Sequence, residues 1–197
     1  MKAFFADEQK HHDPTFFLSS GAPQPNPEQP ERVEHLLAGA LAAGLAIVRP
    51  ANHGLGPISA IHTPEYVDFL KRIYERWQRI EGASAEVIPN IHPIARTGSY
   101  PASAVGQAGY HMADTSCPIS KDTWESACWS AWTAISACDA VLAGDAWSYA
   151  LCRPPGHHAF RDVAGGFCYF NNSAIAAQRL RQHARRVAIV DVDLHHG

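Results

Sequence analysis

The feature that most constrains this chain is a run near its end: Val187, Ala188, Ile189, Val190, Asp191 and Val192, followed at once by Asp193, Leu194, His195, His196 and Gly197. A nearly continuous Val, Ile and Ala run is the pattern of a strand covered on both faces, as in a parallel sheet. Parallel sheets place their chemistry beyond the carboxyl ends of the strands. This run ends in two aspartates and two histidines, so the prediction is an α/β fold with a site at residues 191–197.

The remaining segments supply helices and strands to match. Residues 2–6 and 45–48 read as short strands. The intervening residues 10–31 read as a loop rich in His, Pro and Ser, with Pro23, Pro25, Pro27 and Pro30. Pro30 suits the first position of a helix. Val33, Leu36, Leu37, Ala40 and Leu41 then recur at helical spacing until Gly44 stops them. Thr63-Pro64 is an N-cap followed by a first-turn proline, ahead of a stripe of Tyr66, Phe69, Leu70, Ile73 and Trp77. Residues 81–118 lack a sustained period and read as a long ordered loop, a length that usually has a job. A third helix is expected over 122–143, a strand over 147–152 and a fourth helix over 172–184. Helices alternating with apolar strands give an α/β architecture with a parallel sheet flanked by helices. The loop after residue 192 suggests that the sequence is the N-terminal portion of a longer single domain, with 81–118 as an insertion.

Composition narrows the function classes. Among 197 residues, 46% are apolar and 18% charged, and the net charge is -3, which gives no sign of nucleic-acid binding. The one basic cluster, Arg179, Arg181, Arg185 and Arg186, falls at a predicted helix end, where the helix dipole favours cations. The five cysteines (Cys117, Cys128, Cys138, Cys152 and Cys168) are odd in number and contain no C-x-x-C pair. That argues against a disulfide framework and a structural zinc knuckle. Charge appears too early for a signal peptide, and no apolar run is long enough to span a bilayer. The expectation is a protein of the reducing cytoplasm that is not membrane-bound.

The chemistry sits in two motifs. Along a strand, Asp191, Asp193 and His195 share one side. Where the strand curls into its loop, Asp193 and His195 can approach one metal, leaving Asp191 a layer deeper to orient a partner or hold a second ion. One carboxylate and one imidazole make half of a catalytic zinc site, which still needs a third ligand and an open position. The second motif is Arg153-Pro154-Pro155-Gly156-His157-His158, at the end of the strand over 147–152. Adjacent histidines point different ways and can take different roles, one as the base and acid of an amide hydrolysis. A carboxylate such as Asp191 would hold one ring and raise its basicity. His11, His12, His35, His53, His62, His92, His111, His183 and His196 are expected to be surface or loop residues. Cys152 and Cys168, near the site, are expected to pack.

Three stretches together resemble the zinc-dependent histone deacetylase superfamily: Arg153 to Ala159, Gly165-Gly166-Phe167-Cys168-Tyr169-Phe170-Asn171-Asn172, and Asp191 to Gly197. The wider pattern, with Glu28-Gln29-Pro30-Glu31-Arg32 and Ile61-His62-Thr63-Pro64-Glu65-Tyr66, is most similar to its bacterial acetylpolyamine amidohydrolases. The resemblance implies the arginase/deacetylase-like fold and hydrolysis of acetylamides (an acetylpolyamine, an acetyl-lysine or a related acetylated amine) by metal-activated water. It implies Asp193 and His195 as two zinc ligands, His158 as general base and acid, and His157 as the electrostatic partner bound to Asp191. It further implies Asp191 as a ligand of a structural potassium ion, Phe167 as an aromatic tunnel wall and Gly166 as a tunnel-floor carbonyl acceptor. The 81–118 loop would build a homodimer, and the substrate would be a small acetylated amine. In the family, the third zinc ligand and a carbonyl-polarising tyrosine lie downstream of the position of Gly197. The acidic residues at the tunnel mouth of the polyamine enzymes fall at Val105 and Ser116, with Asp114 the nearest acid. Two other readings stay open: an arginase-like dimanganese ureohydrolase, and a catalytically incomplete fragment or binding module.

Overall fold

In the structure, a computed structural model describing residues 1–197, β1 (Lys2–Phe4) is the middle strand of a three-stranded parallel sheet. Its neighbours are β4 (Ala46–Val48) and β5 (Ser148–Ala150), in the order β4-β1-β5. The register sets Ala3 beside Ile47 on one side and Tyr149 on the other. Ala3, Phe4, Phe5 and Ala6 are all buried, as a strand covered on both faces requires. Ala3, Phe5 and the in-register Leu151 pack on Val33 and Ala40 of α1 (Glu31–Ala42). The long helix α5 (Thr123–Leu142) packs on β1 and β5.

The helix signals read from sequence reappear with their physical causes. The chain leaves α1 through Gly44 at φ 73°, with Gly44 N–H bonding Leu41 O and Leu45 N–H bonding Ala40 O. That left-handed exit favours glycine, which has no Cβ to clash. In α3 (Pro64–Trp77) the Thr63 hydroxyl accepts from Tyr66 N–H at 3.3 Å, and Tyr66, Phe69, Leu70, Ile73 and Trp77 are buried. With residues of α5, Phe170 and Ile175 they belong to the main core of 22 residues. Each fully buried side chain of this size contributes about 1.5–3 kcal/mol. No helix is long and apolar enough to cross a membrane.

Three segments differ from the sequence expectation. Residues 10–31 are more than a loop: a 3-10 turn, Asp7–His11, leads to an antiparallel hairpin of β2 (Phe16–Ser19) and β3 (Ala22–Pro25). Pro23 and Pro25 hid β3, yet prolines are tolerated in a strand with a free edge. Within 81–118 lies α4 (Ala104–His111), capped by the Ser103 hydroxyl on Gly106 N–H. Its eight residues are too few for a helical period to stand out. A further short helix, α2 (Gly56–Ser59), precedes α3, and α6 (Asn172–Arg181) follows β5.

The largest correction concerns residues 187–192. They form no strand, and Ile189, Val190 and Val192 are 57%, 81% and 91% exposed. A cleft of about 1000 Å³ separates residues 189–193 from β5 and the flanking helices. The apolar pattern describes a strand that needs ladder partners on both sides, and none lies against it.

Candidate active site

The loop that carries the two adjacent histidines is fixed along its length. Arg153 is buried and donates from Nε to Glu28 Oε1 at 2.7 Å, from Nη1 to Gln9 O and from Nη2 to Glu28 O. Gln9 Oε1 accepts from Arg153 N–H at 2.6 Å. A buried guanidinium needs such complete pairing. Next along the loop, Pro154 O accepts from the Ser130 hydroxyl at 2.7 Å. Gly156 lies so close to the following segment that a Cβ there would meet Asn172 N at 2.5 Å and Phe170 O at 2.6 Å. Asn171 ties the far end: Nδ2 donates to Ala159 O at 2.9 Å while Oδ1 caps α6 on Ala174 N–H.

The curl over residues 191–197 is organised by one carboxylate. Asp191 Oδ1 accepts from Asp193 N–H at 3.0 Å, and Oδ2 accepts from Gly197 N–H at 3.0 Å. The same Oδ2 lies 3.0 Å from His157 Nδ1. The His157 contact, then those two backbone donors, hold the Asp191 carboxyl well below the usual carboxylate range. Gly197 passes tightly over His157: a Cβ there would lie 2.6 Å from His157 O. Only glycine fits, which explains the last residue of the motif.

Around this centre the other expected residues gather. The rings of His157 and His158 stand 4.0 Å apart between centroids, tilted by 40°. The pKa of His158 is lowered by burial and then by the neighbouring His157 ring, against the opposing pull of Asp193. Asp193 Oδ2 lies 3.8 Å from His195 Nδ1 and accepts from His195 N–H at 2.8 Å. Two ligands on one tetrahedral zinc stand roughly 3.3–3.6 Å apart, given metal–ligand distances near 2.0–2.2 Å. The pair therefore has the donor types of half a zinc site, at a separation slightly wider than two bound ligands would take. No group of three or more His, Cys, Asp or Glu side chains converges on one point. The third ligand is not among these residues.

Gly166 and Phe167 form the tip of a two-residue turn closed by Cys168 N–H on Gly165 O at 2.9 Å and Gly165 N–H on Cys168 O at 3.1 Å. Both have positive φ, 52° and 67°, the pattern of a type I′ turn. A phenylalanine at positive φ costs about 1–2 kcal/mol. Gly166 lies against His158, where a Cβ would meet its Cδ2 at 2.5 Å. The Phe167 ring packs edge-on against Phe17 of the β2–β3 hairpin, centroids 5.9 Å apart. Phe17 was missed in the sequence because the partner strand of its hairpin, β3, carries Pro23 and Pro25.

Other expectations meet mixed outcomes. His12 and His62 lie in loops as expected but are buried, and His111 is buried at the end of α4. Each has a ring nitrogen bonded: His12 to the Thr123 hydroxyl, His62 to Arg161 O and His111 to Asp162 O. All five cysteines are free. Burial pushes the Cys152 and Cys168 thiols up to about 12, which disfavours their thiolate forms. Arg179 and Arg181 end α6 as expected, and Arg179 pairs with Asp139 at 2.7 Å.

Comparison with known proteins places this geometry. The model of the histone deacetylase domain matches residues 26–197. The acetylpolyamine amidohydrolase of Burkholderia pseudomallei (strain 1710b) is 43% identical over 198 residues, covering all of this chain and 58% of that protein. The acetylpolyamine amidohydrolase of Mycoplana ramosa is 40% identical over 200 residues, with the same two coverages. A crystal structure of acetylpolyamine aminohydrolase from Burkholderia pseudomallei superposes with a TM-score of 0.87 at 42% identity. The match covers 92% of this chain and 53% of that one. The chain thus spans little more than half the length of these relatives. It belongs to the histone deacetylase domain family.

Proposed function

We propose that this chain carries part of the active site of a zinc-dependent deacetylase that hydrolyses small acetylated amines. One observation supports the reading most: the Asp191 carboxylate holds His157 at 3.0 Å and orders the backbone that sets Asp193 and His195 3.8 Å apart. The names of the relatives, acetylpolyamine amidohydrolases, supply the substrate class. Asp193 and His195 would hold zinc with a third ligand. Zinc supplies Lewis-acid polarisation of an acyl carbonyl and of water.

The chain's own residues do the proton work. His158, whose neutral form is favoured by burial and by His157, accepts a proton from the attacking water and returns one to the departing amine. His157 stays oriented by its contact with Asp191 and balances charge beside His158. Asp191 would also serve as the side-chain ligand of a structural potassium ion. Phe167 walls the acyl-chain path and the Gly166 carbonyl accepts at its floor. Ile91, Ile94 and Tyr100, exposed within residues 81–118, favour a homodimer through that segment.

The test is metal dependence in the full-length gene product. Stripped protein should release no acetate from an N-acetylated diamine, and one zinc per chain should restore release. Two manganese ions per chain with hydrolysis of a guanidino compound would instead establish the arginase-like alternative.

A further inference from the structure

The turn that presents Phe167 is held by a residue that the histidine motifs do not include. Residues 111–113 run parallel to residue 164: Ala164 N–H bonds His111 O at 2.7 Å, and Ala113 N–H bonds Ala164 O at 2.8 Å. A parallel ladder would continue from Gly166 N–H to the Ala113 carbonyl. It does not. Gly166 N–H donates to Asp114 Oδ2 at 2.8 Å. A side-chain carboxylate has taken over the next acceptor position of the ladder at the point where the backbone turns left-handed.

The other half of the carboxylate faces its own loop. Asp114 Oδ1 accepts from Ser116 N–H at 2.7 Å, which closes a local turn. The adjacent Thr115 binds the hairpin that carries Phe17: its hydroxyl donates to Leu18 O at 2.9 Å, and its carbonyl accepts from Leu18 N–H at 3.3 Å. Both glycines of the facing turn fit this arrangement. A Cβ on Gly165 would press on Asp114 Oδ2 at 3.2 Å, and one on Gly166 would strike His158. Asp114 therefore bridges the loop that anchors Phe17 to the turn that presents Phe167.

We propose that Asp114 is a positioning residue for the substrate path, acting by holding the Gly166–Phe167 turn through its Oδ2 acceptor. This rests on the deacetylase reading above. A wall contacts the substrate equally before and during reaction, so loosening it should weaken binding more than turnover.

Asp114→Ala and Asp114→Asn in the metal-loaded, full-length protein test it, with an N-acetylated diamine as substrate. The alanine variant should raise KM roughly tenfold while kcat falls less than about threefold. Asparagine keeps one of the two oxygen acceptors, and with that oxygen turned to Gly166 N–H it should return KM to within about threefold of wild type. Hydrogen exchange at the Gly166 amide should quicken in the alanine variant and recover in the asparagine variant. An unchanged KM in the alanine variant, or an asparagine variant as impaired as alanine, overturns the proposal. So does a fall in kcat that matches a loss of melting temperature. Inactivity of the wild type would sink the deacetylase reading instead, and the Gly166 exchange rate would still decide the role of Asp114.

Discussion

His62 shows how a single buried group ties this fold to pH. Its Nδ1 faces Arg161 O at 3.1 Å, so it carries the proton, and its Nε2 accepts from Asn171 N–H at 3.0 Å. A second proton would point at that N–H. Burial lowers its pKa to about 4, against the bonding to Arg161 that raises it. A histidine whose folded pKa lies below its unfolded value of about 6.5 binds its proton more readily when unfolded. Its stabilising effect is therefore complete above pH 6.5 and is lost as pH falls towards 4. The magnitude is on the order of 3 kcal/mol, and burial shifts His12 and His111 in the same direction. Urea unfolding from pH 7 to 4 should show a shallower loss of stability in His62→Gln than in wild type. Identical slopes would remove His62 from this role. That Asp191, His157 and His158 come together was legible because a carboxylate and a histidine pair that each follow an apolar run are unusual. The buried histidines were not, since nothing local distinguishes a packed imidazole from a solvated one.

At the scale of elements, helices with caps and long apolar stripes were legible, and short or partner-dependent segments were not. Thr63-Pro64 and Gly44 mark their helix ends by local chemistry alone. The β2–β3 hairpin and α4 depend on neighbours. Gly109 makes the point for α4: a Cβ there would sit 1.7 Å from Ile91 O, so the helix and residues 91–92 meet backbone to backbone. His92 adds a contact from Nδ1 to Gly109 O at 3.1 Å. Gly109→Ala must push that strap away, and the expected cost is roughly 2–3 kcal/mol, read as a lowered urea midpoint with an unchanged m-value. A midpoint equal to wild type would show that the strap is not held there.

For the whole molecule, the parallel sheet and its covering helices were legible from alternation of apolar strands with helices. The place of residues 187–192 was not, because periodicity states that a segment wants cover and says nothing of what covers it. Their Val and Ile side chains stand exposed across the cleft from β5. The site nonetheless forms around Asp191, because its organising bonds are local to residues 191–197 and to His157. We propose that this cluster performs amide hydrolysis with His158 as the proton carrier. Steady-state acetate release by the zinc-loaded full-length protein, wild type against His158→Ala, tests it most directly. The expected result is a fall in kcat of roughly 10²–10⁴-fold at unchanged zinc content. Activity in the variant close to that of the wild type would contradict it.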